Sequence, residues 1–333
     1  MGVSLFCFQW SLFAGGDGHE KTLRVKDEMM IPQPVSVPSA HASTIIEITD
    51  GLLAAWFGGP YERHPDVSIY TSRFTNGQWS DPVMVADGVQ EESERYPCWN
   101  PVLFRRNNGD LILYYKVGPS PSTWWGEYKI STDDGETWSA MSTIPRGCLG
   151  PIKNKPVTLP GSRILYPTSI EIVGKWNVYM EMSDQNLTNW EKIEIDNNGY
   201  DAIQPSVLFH LNGALQLLCR SQNECVLESW SYDNGKSWSP LAPTVLPNNN
   251  SGIDAVTLSS GLQLIIYNPI TTGRNKLSIA CSLDGKIWEN HIDLEEQTIG
   301  EFSYPAIIED KKGDVHVTYT YNREKIKYVK LGF

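Results

Sequence analysis

Six polar side chains stand at the same place in a phrase that the chain repeats. Each precedes a small residue or proline, an apolar stretch, a turn with glycine and a second apolar stretch. They are His41, Asn100, Lys155, Gln204, Asp254 and Tyr304. Imidazole, phenol and carboxylate groups can transfer protons, whereas an ammonium group binds anions. Gathered in one place, these side chains could perform acid–base chemistry on a bound anion.

The spacing of the six residues predicts how they come together. Successive members are 59, 55, 49, 50 and 50 residues apart. A repeat of about 50 residues made of short strands is typical of a β-propeller, in which each repeat forms one blade around a central axis. Equivalent positions of the blades meet around that axis. We therefore predict an all-β, six-bladed β-propeller with the six polar residues in one ring.

Prolines indicate where in each blade the ring lies. Asn100, Lys155, Gln204 and Tyr304 each precede a proline, which is tolerated at the first residue of a strand because it donates nothing to the ladder. The residue before a proline is expected to be extended. The four residues are thus expected where the innermost strand leaves the central funnel. Polar groups packed there need partners or a ligand.

The repeats occupy nearly all of the 333-residue chain. We predict a single propeller domain over residues 21–333, closed by a strand near residues 22–30 that completes the final blade. Residues 1–20 contain an apolar start, which fits the remnant of a secretory signal or a disordered start. The expected location is secreted or periplasmic, and a cytoplasmic location stays open.

Charge and cysteine content narrow the function classes. The net charge of −12 argues against nucleic-acid binding, because phosphate recognition needs a basic surface. A local group of arginines can still bind an anion. The apolar start is too short to span a membrane. The six cysteines show no metal-ligand spacing, and we expect no metal and no cofactor. They are expected to be free thiols, with a Cys219–Cys225 bridge only in an exported protein.

A second repeated phrase follows the third strand of several blades. Ser, Asp, Gly and Trp recur in it, where Asp accepts backbone hydrogen bonds, Gly supplies a positive φ, and Trp packs between the outer strands. The copies are 131–138, 231–238 and the shorter 282–288, with worn copies at 183–190 and 72–79. The pattern S-x-D-x-G-x-T-W resembles the Asp box of the sialidase (neuraminidase) superfamily, also called the BNR repeat. These turns are expected to be structural and to lie away from the axis.

The resemblance covers roughly residues 35–333 and implies roles for particular residues. In that superfamily three arginines hold a substrate carboxylate, a tyrosine activated by a glutamate is the nucleophile, and an aspartate in a first-blade loop is the acid/base. Arg220 and Arg274 look like the second and third arginines, and Tyr304 is similar to the nucleophile. The loop 58–66 occupies the acid/base region. Its candidates are Glu62, which we favour, and Asp66, which could instead cap the following strand.

Two positions depart from the superfamily pattern. His41 stands where the first arginine is expected, and Gln204 replaces the glutamate that pairs with the tyrosine. A tyrosine with a pKa near its reference of about 10 is a poor nucleophile without a base. Ordinary sialic acid hydrolysis therefore does not follow from the resemblance. The chain is more similar to a bacterial branch of sialidase-like proteins, through HAST at 41–44, WNPVLF at 99–104, GPIKNKP at 150–156 and NSGIDAV at 250–256.

The remaining site candidates are chosen for binding a sugar or its charge. Lys155, Arg220 and Arg274 would bind an anionic group, and arginine does so bidentately. Two carboxyl candidates are Asp254 and Glu171, which ends a second strand at the position equivalent to Arg220 and could instead pair with Lys153 or Lys155. The others are Asn100 and Gln204 of the ring, Arg63 of the first-blade loop, and Trp124 and Trp125, whose rings could stack on a sugar or pack between blades.

Three functions fit these residues. The first is an exo-acting glycoside hydrolase that removes a terminal, acidic sugar from a glycan, because a closed funnel suits chain ends and hydrolysis needs carboxyl groups such as Glu62 and Asp66. The second is a polysaccharide lyase acting at a uronic acid, with His41 and Tyr304 as base and acid and Arg220 and Lys155 neutralising the carboxylate. The third is a glycan-binding propeller without catalysis.

Overall fold

The computed structural model describes residues 22–91, 94–172 and 174–333, and the apolar start at residues 1–20 lies outside them. The described chain forms six antiparallel sheets around a common axis, together with a short hairpin, β7 (Val89–Glu91) and β8 (Glu94–Arg95). The predicted all-β, six-bladed propeller is confirmed. Among the described residues no helix has the length and apolar character needed to cross a membrane.

Each blade is described from its innermost strand outward. Blade 1 contains β2 (Ser39–Ile48), β3 (Gly51–Gly59), β4 (Ser68–Thr75) and β5 (Gln78–Trp79), with β6 (Val83–Ala86) also paired to β4. Blade 2 contains β9 (Cys98–Arg105), β10 (Leu111–Val117), β11 (Trp125–Ser131) and β12 (Ser142–Thr143). Blade 3 contains β13 (Val157–Thr158), β14 (Ile164–Ile172), β15 (Lys175–Ser183) and β16 (Glu191–Glu194).

The second half of the ring has the same order. Blade 4 contains β17 (Ala202–Phe209), β18 (Leu215–Ser221), β19 (Cys225–Ser231) and β20 (Ala242–Pro247). Blade 5 contains β21 (Asp254–Thr257), β22 (Gln263–Tyr267), β23 (Lys276–Ser282) and β24 (Glu289–Glu296). Blade 6 contains β25 (Phe302–Glu309), β26 (Val315–Tyr321), β27 (Lys325–Gly332) and, outermost, β1 (Arg24–Met30) from the other end of the chain.

The apolar core of the described residues is divided into seven clusters, six of which lie one at each interface between neighbouring blades, while the seventh, smaller one contains Trp99, Trp124 and Ile152. Leu53 of blade 1 meets Leu113 of blade 2 in one of them, and Ile266 of blade 5 meets Val317 of blade 6 in another. Both faces of most inner strands are therefore buried, which explains runs such as Leu111–Val117 in which every residue is buried. Such strands read as continuous apolar stretches rather than as alternating patterns.

The Asp-box turns are closed by their own side chains. In the copy at 131–138, Ser131 Oγ accepts a hydrogen bond from the Gly135 amide at 2.7 Å, and Asp133 Oδ1 accepts one from the Thr137 amide at 2.9 Å. Hydrogen bonds from the hydroxyl and the amide of Thr137 lower the pKa of Asp133 to about 2. The equivalent bonds lower the pKa of Asp184 and of Asp233 to about 2 as well.

These carboxylates predict how stability changes in acid. A depressed folded-state pKa stabilises the fold above the unfolded-state pKa, and that stabilisation is lost as the pH falls through the folded value. Stability should therefore drop between about pH 4 and pH 2, a window set by the Asp pKa shift. Asp233→Asn should make this slope shallower in urea unfolding measured across the window. Exposed Asp81, whose side chain makes no hydrogen bond in the described chain, gives the control Asp81→Asn; equal slopes for the two variants would contradict the prediction.

One local expectation is wrong. Asn100, Gln204 and Tyr304, each followed by proline, are not extended but left-handed, with φ of 37°, 55° and 50°. The pairing of their strands with the second strand shifts register at these points. Such a shift is a β-bulge, which bends the strand and re-aims a side chain. Blade 1 has the same shift beside Ala42, with φ of 55°.

The cysteines in the described part of the chain are unpaired. Cys98, Cys148, Cys219, Cys225 and Cys281 are all free. The Cys219–Cys225 bridge considered for an exported protein is therefore absent from this structure. Cys219 is fully buried in the interface between blades 3 and 4.

Candidate active site

Tyr304 lies at the centre of the residues that converge on the axis. Arg220 Nη1 donates a hydrogen bond to its phenolic oxygen at 2.7 Å, and Gln204 Nε2 lies 3.4 Å from the same atom. The His41 ring packs against the Tyr304 ring with centroids 4.2 Å apart. The structure thus brings together three of the six ring residues with one of the predicted arginines.

Arg220 fixes the orientation of the Gln204 amide. Its Nη1 also donates to Gln204 Oε1 at 3.2 Å, and a guanidinium group can only donate hydrogen bonds. The amide NH₂ of Gln204 therefore faces Tyr304, whose oxygen receives hydrogen bonds from both neighbours. The hydroxyl proton of Tyr304 has no acceptor among the described residues, so it is available to a ligand.

Three arginines surround this tyrosine. Arg220 and Arg274 have their guanidinium carbons 5.6 and 5.9 Å from the Tyr304 ring centroid. Arg323 is the third, and Glu301 Oε1 accepts hydrogen bonds from Arg274 Nη1 at 2.9 Å and Arg323 Nε at 2.8 Å. Burial, followed by the charges of these arginines and of Lys153, lowers the pKa of His41 well below its usual value.

Arg323 was not among the residues chosen from the sequence. It lies in the turn between β26 and β27, with a left-handed φ of 57°, and its carbonyl accepts a hydrogen bond from the Ala40 amide at 3.0 Å. This contact places it beside the start of β2, next to His41. A cation from the last blade therefore lies near the position where the superfamily pattern has its first arginine.

Asn250, Trp176 and Glu301 were also missed as site residues. Asn250 Oδ1 accepts a hydrogen bond from Arg220 Nε at 2.9 Å, and the Arg220 guanidinium lies 5.2 Å from the Trp176 ring centroid. The only sequence signal for Asn250 was its place in NSGIDAV. Trp176 and Glu301 belong to the loop side of blades 3 and 6, where the repeat gave no ring position.

The carboxyl groups near the mouth have different surroundings. Glu62 forms an ion pair with Arg323 Nη1, which brings the first-blade loop over blade 6. Asp66 is more than half exposed and pairs with Arg95 at 3.3 Å. Glu171 makes no hydrogen bond or ion pair within the described residues. Of the three, Glu171 alone is free to act on a ligand without first breaking a contact.

Glu171 is held in a half-buried position at the end of β14. Burial raises the pKa of this carboxyl, and the charges of Arg220 and Arg63 act in the opposite direction. Arg63 is exposed in the first-blade loop, with φ of 79°. A carboxyl with a raised pKa keeps its proton to higher pH, which suits a general acid.

Lys155 and Asp254 bind each other. Lys155 Nζ lies 2.8 Å from Asp254 Oδ2, and this carboxylate also accepts hydrogen bonds from Ser206 Oγ at 2.8 Å and the Ile307 amide at 2.9 Å. Asp254 is 2% exposed. Its hydrogen-bonding capacity is used to connect four blades, so the pair braces the inner strands.

A second, buried ammonium group belongs to Lys153, two residues before the ring position. Its Nζ donates to Asn154 Oδ1 at 2.8 Å, to the Ile253 carbonyl at 3.0 Å and to the Pro305 carbonyl. Burial lowers the pKa of Lys153 to about 7. The contact with Pro305 holds the bulge that carries Tyr304.

Lys153→Met should therefore destabilise the propeller by about 2–6 kcal/mol at neutral pH. The substitution leaves two buried carbonyls without a donor, and each unsatisfied group costs about 1–3 kcal/mol. Urea unfolding measures the change, and Lys236→Met, at an exposed lysine, is the matched control. An unchanged unfolding midpoint would show that Lys153 does not hold the blades together.

Asn100 and the two tryptophans complete the predicted set. Asn100 is 5% exposed, and its side chain makes no hydrogen bond to the described residues. Trp124 is 8% exposed and packs on Trp99 with ring centroids 5.9 Å apart. Trp125 Nε1 donates to Glu127 at 2.8 Å. Within the described ranges, no cluster of three or more His, Cys, Asp or Glu side chains is arranged for a metal ion.

Comparison with known proteins relates this architecture to a family. Residues 50–317 match the family described as the BNR repeat-like domain. The anhydrosialidase of Macrobdella decora is 23% identical over 177 residues, which are 48% of this chain and 22% of that protein. Most of that relative therefore lies outside the match.

Two crystal structures have the same fold. A Dyadobacter fermentans protein of unknown function superposes with a TM-score of 0.75 at 15% identity, over 94% of this chain and 99% of that one. The NanB sialidase of Streptococcus pneumoniae superposes with a TM-score of 0.71 at 11% identity, over 93% of this chain and 70% of that one. At these identities the likeness concerns the fold.

Proposed function

The chain belongs to the BNR repeat-like family, and from this membership we propose that it is an exo-acting glycoside hydrolase that removes a terminal acidic sugar from a glycan. The observation that carries the proposal is the convergence of Arg220, Arg274 and Arg323 on Tyr304. Sialidase-like relatives make glycoside hydrolysis the reaction class that best fits this site.

The three arginines would bind the carboxylate of the terminal sugar. A guanidinium group matches a carboxylate with two parallel hydrogen bonds, and such charge-assisted bonds are the strong ones. Glu301 holds Arg274 and Arg323 in place through one oxygen atom, so both are oriented before the ligand arrives. Asn250 does the same for Arg220.

We assign the proton transfers to two carboxyl groups on different blades. Glu171, unpaired and with a raised pKa, would protonate the leaving oxygen as the glycosidic bond breaks. Glu62, ion-paired with Arg323, would be the second carboxyl group that such hydrolysis needs. It would act on the opposite face of the sugar, either as the base that activates water or as the nucleophile. Asp66 is engaged by Arg95 and takes no part in this assignment.

Tyr304 and Gln204 would then bind the sugar rather than supply an activated nucleophile. The Gln204 amide donates toward Tyr304 instead of accepting its proton, so the pair lacks the base that activates a phenol. The free hydroxyl proton of Tyr304 can be donated to an oxygen of the sugar. Asn100, whose side chain has no hydrogen-bond partner in the described ranges, offers a further contact.

Elimination at a uronic acid is a second candidate, favoured by the same hydroxyl proton. His41 would remove the proton at C5, the bond from C4 to the leaving oxygen would break, Tyr304 would protonate that oxygen, and a C4–C5 double bond would remain. A lowered pKa keeps His41 neutral and able to accept a proton near neutral pH. Its Nδ1 is buried and has no hydrogen-bond partner among the residues that the structure describes.

One screen separates these outcomes. The full chain is incubated with glycans that end in sialic, glucuronic, galacturonic or rhamnosyl-glucuronic units, and the products are analysed. A new reducing sugar without ultraviolet absorbance supports hydrolysis, whereas an unsaturated, absorbing product supports elimination. Specific binding with neither product identifies a glycan-binding propeller and overturns the proposed activity.

His41→Ala gives the corresponding prediction for the second candidate. If the reaction is elimination, the variant should lose the absorbing product because its base is missing. If the reaction is hydrolysis, the variant should still release the reducing sugar, since His41 contacts Tyr304 and transfers no proton. Ala42→Ser, at the neighbouring residue, is the control for changes in the packing of this strand.

A further inference from the structure

A groove on the loop side of blades 2 and 3 runs beside the funnel. It has a volume of about 450 Å³ and is formed by the segment before β11 and the segment before Lys153. Its outer wall contains Ile170, Tyr179 and Lys192 of blade 3. A groove of this size can hold a small ligand such as one or two sugar units.

The groove adjoins the carboxyl group assigned as the proton donor. Ile170 lines the groove, and Glu171 follows it at the end of β14. Consecutive residues of a strand point to opposite faces, so the end of this strand separates the groove from the funnel. A general acid lies beside the glycosidic oxygen, at the junction between the sugar that is removed and the part of the glycan that leaves. The groove is thus on the side where the leaving chain must pass.

Its charge is opposite to that of the whole protein. Arg146 and Lys192 line the groove, and no carboxylate of the described residues does so, although the chain has a net charge of −12. Arg146 is exposed and makes no ion pair with any described residue. Lys192 lies 4.0 Å from the Tyr179 ring centroid and is also paired with Glu194 at 2.9 Å.

Its inner wall is aromatic. Trp124 is more than nine-tenths buried, and its indole N–H has no hydrogen-bond acceptor in the described part of the chain. Trp125 is half-buried, and its N–H is taken by Glu127. A rigid aromatic wall with one free donor, opposite two cations, suits a sugar ring that carries a negative group.

We propose that this groove binds the leaving part of the glycan and selects units that carry a carboxylate or sulfate group. The inference rests on the proposed function, because it takes Glu171 as the point where the chain is cut. It extends that function, because the substrate is then defined by the sugar units next to the terminal sugar as well as by the terminal sugar itself. The enzyme would then act on an acidic polysaccharide or its fragments rather than on a neutral glycan with one acidic end.

Calorimetric titration of the full chain tests the groove directly. The probes are tetragalacturonate for carboxylate, a chondroitin sulfate tetrasaccharide for sulfate, and maltotetraose as the neutral control. We expect an acidic probe to bind at least about tenfold more tightly than the neutral one, and added salt to weaken it. Arg146→Ala combined with Lys192→Ala should reduce this binding about tenfold or more, whereas Lys236→Ala should not.

Equal binding of neutral and acidic probes, or binding unchanged in the double variant, overturns the inference. Trp124→Phe keeps an aromatic wall but removes the free N–H, and it should weaken the same complex. The proposed function fails separately, through the product screen. The ratio of kcat/KM for a long substrate to that for a short one is then compared between the double variant and the unmodified protein. If both release sugar and the two ratios are equal, the groove inference is wrong and the proposed function stands.

Discussion

Glu171→Gln is expected to lower kcat/KM on a glycan substrate by about 10²–10⁴-fold, the usual contribution of general acid catalysis. The glutamine fills the same space but cannot protonate the leaving oxygen. An aryl glycoside with an acidic phenol as leaving group needs no such proton, so its turnover should be nearly unchanged. The measurement is the ratio of kcat/KM for the glycan to kcat/KM for the aryl glycoside, in Glu171→Gln and in the unmodified protein.

The pH profile provides a second readout for this residue. Because burial raises the pKa of Glu171, the acid form persists above the usual carboxyl range, and the rate should fall as the pH rises through that value. This limb should disappear in Glu171→Gln.

Glu62→Gln, in contrast, should abolish hydrolysis of the glycan and of the aryl glycoside, because the base is needed for both. Asp66→Asn is the control, and an equal loss of both substrates in Glu171→Gln would contradict the assignment.

Arg323→Met is expected to lower kcat/KM for the acidic sugar by about 10²–10⁴-fold. A charge-assisted hydrogen bond contributes about 1.5–3 kcal/mol, and two such bonds to one carboxylate are lost, at about 1.4 kcal/mol for each factor of ten. Arg323→Lys keeps the charge without the planar fork and should have an intermediate rate. Activity assays across several substrate concentrations measure the change.

A neutral analogue separates binding from structure in this experiment. In the carboxamide of the same sugar the negative charge is gone, so the loss caused by Arg323→Met should shrink to a few-fold. An equal loss on both compounds would mean that Arg323 only positions Glu62 and Glu301. Thermal unfolding of each variant shows whether the loop between β3 and β4 still docks on blade 6.

The blades could be predicted from the sequence because their signals are local. The Asp boxes and the apolar stretches recur at fixed intervals, and the convergence of His41, Gln204 and Tyr304 follows from that repetition. Blade 3 contributes two lysines where the repetition marked one. Its innermost strand β13 has only two residues, Lys155 pairs with Asp254 of blade 5, and Lys153 contacts the Ile253 and Pro305 carbonyls. The repeated phrase begins at Lys155, so it carries no sign of the role of Lys153.

Arg323 could not be predicted because nothing local marks it. It lies in a hairpin turn far from His41 in sequence, and the two meet only when blade 6 closes against blade 1. The left-handed conformations at Gln204 and Tyr304 were hidden for a related reason, since a following proline favours extended backbone. Tertiary packing overrides this preference at the bulges. Residues with such strained backbone cluster at functional sites, which fits their place around the proposed substrate.

The pairing of β1 with β27 also determines how the protein would respond to force. Arg24 lies opposite Gly332 in the antiparallel register, so the two chain ends of the propeller leave it side by side. Pulling them apart would load these hydrogen bonds one after another rather than all together. Blade 6 should therefore unzip at low force, while the five remaining blades would resist until their inner strands lose the neighbours that support them.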